Sequence, residues 1–151
     1  MKSLIDDSKE LIKTVSTDFG RVFYSQPKGC AIPKSLNDLI EVVKGCYDSQ
    51  TPIIPRGMSH SASGQCLSQS GVVIDMKQMN NIHDIEFDGE KGFIKADAGI
   101  TWERLIKACL EQKAAPPVLT DWQKLTVGGT ISTGGLGFMS HLYGIQADIV
   151  D

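Results

Sequence analysis

The chain has 151 residues, 41% of them hydrophobic and 22% charged, the composition of a globular protein of about one domain with enough apolar residues for a real core. A net charge of −3, with the 15 basic residues scattered along the chain, argues against nucleic acid as a partner. No apolar run approaches membrane-spanning length, and Met1-Lys2-Ser3-Leu4-Ile5-Asp6-Asp7 runs into acids where a secretory signal would turn apolar. Cys30, Cys46, Cys66 and Cys109 show neither Cys-x-x-Cys nor a zinc-like spacing with histidine, so free thiols, no metal and a cytoplasmic location are expected.

In chain order, residues 3–16 carry Leu4, Ile5, Leu11, Ile12 and Val15 among charges, which suits an amphipathic helix. Val22-Phe23-Tyr24 reads as a short extended piece and Pro27-Lys28-Gly29 as a turn. A clearer helix starts at Ser35, a capping residue with Asp38 three positions on, and it places Leu36, Leu39, Ile40, Val43 and Tyr47 on one face. Thr51-Pro52 breaks it. Ile53-Ile54 then reads as a buried strand that feeds the loop Pro55-Arg56-Gly57-Met58-Ser59-His60-Ser61, continuing to Gly64-Gln65. Glycine lets a backbone fold its N–H groups toward an anion, the serines add donors, and His60 can reach whatever the loop holds. Gly71-Val72-Val73-Ile74-Asp75-Met76 is a second apolar strand, completing an α/β pattern.

From Ile82 to Ala98 the pattern becomes an antiparallel hairpin, turning at Asp88-Gly89-Glu90-Lys91-Gly92. Thr101 caps a further helix with the stripe Trp102, Leu105, Ile106, Cys109 and Leu110, and Trp102 is expected in the core. Ala114-Ala115-Pro116-Pro117 stops it. The segment from Thr120 to Gly137 then holds five glycines, at 128, 129, 134, 135 and 137, which suggests a backbone pressed against a ligand. It is not the Gly-x-Gly-x-x-Gly of a dinucleotide fold, and no Gly-Lys-Ser/Thr makes it a P-loop.

Two such loops separated by a hairpin and a helix resemble the FAD-binding domain of the vanillyl-alcohol oxidase and p-cresol methylhydroxylase (PCMH) type, and within it most resemble cytokinin dehydrogenases. The first loop of those enzymes reads Arg-Gly-x-Gly-His-Ser followed by Gly-Gln, matched by Arg56 to Ser61 with Gly64-Gln65. Their second segment reads Thr-Asp-x-x-x-Leu-Thr-Val-Gly-Gly-Thr-x-Ser, matched by Thr120-Asp121, Leu125 to Thr130 and Ser132. The resemblance spans about residues 30–151 and implies an α+β fold, with a small α/β lobe to about residue 76 and the start of a mainly antiparallel lobe from 77 to 151.

The resemblance also implies FAD as cofactor, contacted by Arg56, Gly57, Met58, Ser59, His60, Ser61 and Gln65 from the first loop, and by Asp121, Thr126, Gly128, Gly129, Thr130, Ser132 and Leu136 from the second segment. His60 is implied as the covalent flavin attachment point. Asp121 is implied as the catalytic carboxylate that accepts a proton from a substrate amine while hydride leaves for flavin N5. The implied partner is a small-molecule substrate, a cytokinin-like N6-substituted adenine being the family expectation.

Three departures carry further expectations. Ser59 stands where those enzymes have glycine, so a positive φ there would impose a steric cost. The tail from Gly134 to Asp148 looks more like berberine bridge enzymes, but Lys124 stands where their second flavin-linking cysteine would be. The His-Gly-Thr-Gly pattern of aldonolactone and alditol oxidases is absent. Asp148-Ile149-Val150-Asp151 reads as a strand cut in mid-course, so the chain is expected to be an N-terminal portion without a substrate domain and inactive alone. Sugar, alcohol or berberine-bridge-like oxidation on the same fold, and a non-catalytic nucleotide-binding module, are the alternatives.

Overall fold

A computed structural model describes residues 4–88 and 91–150. The chain divides into two compact units, Met1–Met79 and Asn80–Asp151.

The first unit is built on a four-stranded sheet in the order β1-β2-β4-β3, with β1 at Ile5–Asp6, β2 at Gly29–Ala31, β3 at Ile53–Arg56 and β4 at Val72–Asp75. Strand β4 runs parallel to both β2 and β3, whereas β1 is antiparallel to β2. All four residues of β4 are buried, as expected of a central parallel strand covered on both faces. The strand period sorts its side chains. Val72 and Ile74, with Ala31, pack against Val42 and Cys46 of helix α2 (Leu36–Asp48), while Val73 and Cys30 pack with Val15 of helix α1 (Lys9–Val15). Pro55 is tolerated because β3 lies at the sheet edge.

The Ser35 cap is a full capping box: its hydroxyl accepts from the Asp38 N–H at 3.2 Å, and the Asp38 carboxylate accepts from the Ser35 N–H at 3.1 Å. The expected apolar face of α2 is corrected. Val42 and Cys46 are buried with Leu39 packed against the cluster, whereas Leu36, Ile40, Val43 and Tyr47 are exposed. At 100° per residue two apolar stripes lie side by side on this helix, and contact with the sheet selects the one containing a cysteine. The expected helix over 3–16 shrinks to α1 because Ile5–Asp6 joins the sheet, Asp6 accepting from the Ser8 N–H at 2.7 Å to turn the chain; Ser3 lies outside the described residues. Gly29, read as part of a turn, opens β2, and of the expected extended piece only Tyr24 makes a bridge, to Thr17.

In the second unit β5 (Ile82–Asp88) and β6 (Lys91–Ala96) form the expected antiparallel hairpin; Gly89 and Glu90 of its turn lie outside the described residues. Phe87 pairs with Gly92, and a Cβ on that glycine would strike the Phe87 ring. Helix α3 (Trp102–Glu111) is capped by Thr101, whose hydroxyl accepts from the Arg104 N–H. Trp102, Leu105, Ile106 and Cys109 join Ile100 in the core as expected, but Leu110 is exposed. The glycine-rich segment, read as loop, contains the short helix α4 (Val127–Ile131), followed by α5 (Ser140–Tyr143) and a 3-10 turn at Gln146–Ile149 where a strand was expected. These elements together are the mixed α+β organisation implied by the sequence.

Candidate functional site

The first loop leaves β3 at Arg56 and is held from behind by the segment that follows α1. The Arg56 side chain is buried and points inward, donating to the carbonyls of Thr14 at 3.2 Å and Thr17 at 2.8 Å and approaching the Cys66 sulfur at 3.3 Å. Any contact of Arg56 with a ligand therefore falls to its backbone. Asp18, only 4% exposed, accepts from the Ser61 hydroxyl at 2.8 Å, the Gly64 N–H at 2.9 Å and the Arg21 N–H at 3.3 Å. Burial works to raise the Asp18 carboxyl, but those hydrogen bonds outweigh it and hold the group below its ordinary value. Phe19 and Gly20 donate their N–H groups to the carbonyls of Ser59 (2.8 Å) and Ser61 (3.1 Å). Gly20 comes so close to the Ala62 backbone that no Cβ would fit there.

Ser59 adopts φ 53°, the left-handed conformation that makes serine sterically costly where the resembling enzymes have glycine. On the outward side Met58, His60 and Gln65 are exposed, Gly57, Ser59 and Ser61 half-buried, and the His60 ring stacks on Phe19 with centroids 4.1 Å apart and planes 27° apart. Gln65 also accepts from the Ser63 N–H, bracing the end of the loop.

The second segment is built differently. Residues 123–128 run along 98–103: Trp102 donates to the Leu125 carbonyl, Glu103 to Gln123, Val127 to Ile100 and Gly128 to Ala98. Buried Thr130 accepts from the indole N–H of Trp102 at 2.9 Å, and Ser132 donates to the Gly128 carbonyl at 2.7 Å. The glycines, expected to admit a ligand, lie against the chain itself. A Cβ on Gly128 would meet Ala98, on Gly135 the Gln146 side chain, and on Gly137 the Leu119 carbonyl. Gly129 meets only the Thr126 hydroxyl, and Gly134, at φ 66°, has open space. Thr126 is buried, whereas Gly129, Ser132 and Leu136 are exposed.

Asp121 is exposed and accepts from the Trp122 N–H at 2.9 Å and the Thr120 hydroxyl at 3.3 Å. His83 instead pairs with Asp97 at 2.7 Å, closing the base of the hairpin, and Asp97 also accepts from the Asn81 N–H. Among the described residues no group of three or more His, Cys, Asp or Glu could hold a metal, and no helix is long and apolar enough to cross a membrane. All four cysteines are free and buried; burial and the nearby Asp75 push the Cys30 thiol up to about 11. Sequence reasoning missed Asp18 and Phe19. The only local signal is an acid followed by a glycine after a helix, and their partners lie about forty residues away.

Residues 27–151 match the family model of an FAD binding domain, a stretch that includes both loops. The chain belongs to the FAD-binding domain family. Among relatives of this FAD-binding domain, an uncharacterized oxidoreductase, ORF5 in the fasciation locus of Rhodococcoides fascians, is 37% identical over 140 residues, 93% of this chain and 31% of that protein. Cytokinin dehydrogenase 3 of Arabidopsis thaliana is 34% identical over 145 residues, 94% of this chain and 28% of that protein. Cytokinin dehydrogenase 7 of Oryza sativa subsp. japonica is 33% identical over 135 residues, 87% of this chain and 26% of that protein. The chain thus spans about a third or less of the length of these curated relatives. The resemblance to the PCMH-type domain and to cytokinin dehydrogenases holds.

The residues of the first loop fit such a cofactor. Its inward donors are engaged by Asp18, while its outward side carries the exposed His60 imidazole, a group that can meet a flavin nucleotide there.

Proposed function

We propose that the chain is the FAD-binding part of a flavin-dependent oxidoreductase that oxidises an amine-bearing small molecule of the cytokinin class. The observation that carries this reading is the exposed His60 ring on the left-handed Ser59 turn, within a chain matched as an FAD-binding domain. FAD, when bound, supplies hydride acceptance at its N5. The backbone of Arg56, Gly57, Met58 and Ser59, with Ser61 and Gln65, contacts the cofactor from the first loop; in the second segment the exposed Gly129, Ser132 and Leu136 are the residues open to it, Thr126 and Thr130 being buried and Gly128 packed on Ala98. His60 is the attachment point. Its imidazole, exposed on the loop, would carry the flavin through a ring nitrogen and would give up its ring proton on linkage. Asp121 accepts the substrate's amine proton.

The mass of the intact chain after incubation with FAD tests the attachment. Addition of one flavin nucleotide that survives denaturation, and is lost in His60→Ala, is expected; complete release of flavin from the unmutated chain would reject covalent linkage. A protein that never takes up flavin would leave only a non-catalytic nucleotide module.

A second reading, sugar or alcohol oxidation, draws on one observation. The Asp121 carboxylate is engaged by the adjacent Trp122 N–H, as a turn aspartate would be. In a full-length version that carries a substrate domain, anaerobic bleaching of the flavin by N6-substituted adenines but not by sugars, slowed by Asp121→Asn, supports amine oxidation; the reverse preference supports the alternative.

A further inference from the structure

Building on the assignment of His60 as the flavin attachment point, we propose that Asp18 and Phe19 are positioning residues that hold the His60 imidazole in one orientation. Both precede the stretch matched as the FAD-binding domain. Phe19 acts twice. Its ring covers one face of the imidazole at 4.1 Å, and its N–H holds the carbonyl of Ser59, the residue just before His60. The Gly20 N–H holds the carbonyl of Ser61, the residue just after, so the backbone is tied on both sides of the histidine. Asp18 completes the clamp from below by taking the Ser61 hydroxyl and the Gly64 N–H on the same carboxylate oxygen.

The clamp answers a requirement of the loop. Ser59 at φ 53° persists only where neighbouring structure over-determines it, and these bonds are what surround it. With one ring face covered, the imidazole loses much of the rotational freedom that attachment would otherwise have to freeze.

The experiment uses this chain with the single variants Phe19→Leu, Asp18→Asn and, as the conservative comparison, Phe19→Tyr. Proton NMR of the flavin-free protein reads the position of the imidazole directly. Its ring protons should carry an upfield ring-current shift that Phe19→Leu abolishes and Phe19→Tyr keeps. Covalent attachment is then timed by mixing with FAD and measuring flavin retained on the denatured polypeptide. Phe19→Leu and Asp18→Asn should slow it about tenfold, with Phe19→Tyr close to the unmutated rate and the reversible affinity for FAD unchanged. Phe19 is 65% exposed, so its leucine variant folds without loss of core packing. An unmutated attachment rate in Phe19→Leu, or imidazole shifts indifferent to it, would overturn the proposal. If the unmutated chain acquires no covalent flavin, the His60 assignment fails, and the ring-proton shifts alone decide whether Phe19 and Asp18 position the imidazole.

Discussion

The two glycine-rich loops look alike in composition and are built on opposite principles. The loop from Arg56 to Gln65 is gripped from behind by Thr14, Thr17, Asp18, Phe19 and Gly20, and it turns an exposed edge outward. In the segment from Thr120 to Gly137, Gly128, Gly135 and Gly137 are there because the chain crosses itself with no room for a Cβ. Glycine therefore marks closeness without saying to what. In the first loop a positive φ falls on a serine, Ser59, as well as on Gly64.

The largest effect should come from cutting the grip on the first loop. Arg56→Ala removes a buried guanidinium and leaves the Thr14 and Thr17 carbonyls without their donor. We expect a loss of about 3 kcal/mol in urea unfolding. A loss under about 0.5 kcal/mol, the scale of surface substitutions, would mean that the arginine does not hold this loop.

Next in size is the second segment. Gly137→Ala drives a methyl into the Leu119 carbonyl and Gly128→Ala into Ala98, each expected to cost about 1–3 kcal/mol. Gly129→Ala, which meets only a threonine hydroxyl, should cost less than either. Equal losses at all three positions would show that the self-crossing is not what selects glycine there.

Much of the framework behind these contrasts was legible in the sequence. Ser35 with Asp38, Thr101, the strands around Ile53 and Val73 and the hairpin are local signals, each written within a few residues, although Ile53-Ile54, expected to be buried, lies on an edge strand with Ile53 exposed and Ile54 half-buried. The spacing of the loops was enough to expect the family. What could not be read depends on distant partners. The stripe Leu39, Val42 and Cys46 was hidden because its neighbour is equally apolar and only the sheet chooses between them. Strands β1 and β2 are too short for a periodic signal and exist because β4 is there for β2 to pair with and β2 for β1. Asp18 reads as one more surface acid until Ser61 and Gly64 arrive from beyond β3, the third strand of the unit.

A smaller effect, dependence on pH, is common to the two units. Asp18 in the first and Asp97 in the second are both held below the ordinary carboxylate value of 3.8; at each, burial pushes upward and is outweighed by hydrogen bonds, from Ser61, Gly64 and Arg21 at Asp18 and from His83 and Asn81 at Asp97. A depressed folded value means that their stabilisation is complete above about pH 4 and fades as pH falls through the folded value. Urea midpoints between pH 5 and pH 2.5 should fall for the unmutated chain, and less steeply in Asp18→Asn and Asp97→Asn. An unchanged slope in both variants would assign the acid sensitivity elsewhere.

The smallest effect is the most specific to the first loop. Ser59 at φ 53° bears the steric cost of a Cβ in the left-handed region, roughly 1 kcal/mol, whereas glycine adopts that region freely but gives up more chain entropy on folding. The two terms nearly offset. Ser59→Gly should therefore raise stability by only about 0.5 kcal/mol while leaving the Phe19–His60 stack in place, because the bonds from Phe19 and Gly20 are made to backbone carbonyls that glycine keeps. Thermal unfolding together with the imidazole proton shifts checks both halves. A destabilised Ser59→Gly would mean that the serine side chain contributes a bond worth more than the strain, and a lost ring-current shift would mean that the stiffness of serine, rather than the clamp of Asp18 to Gly20, sets the orientation of His60.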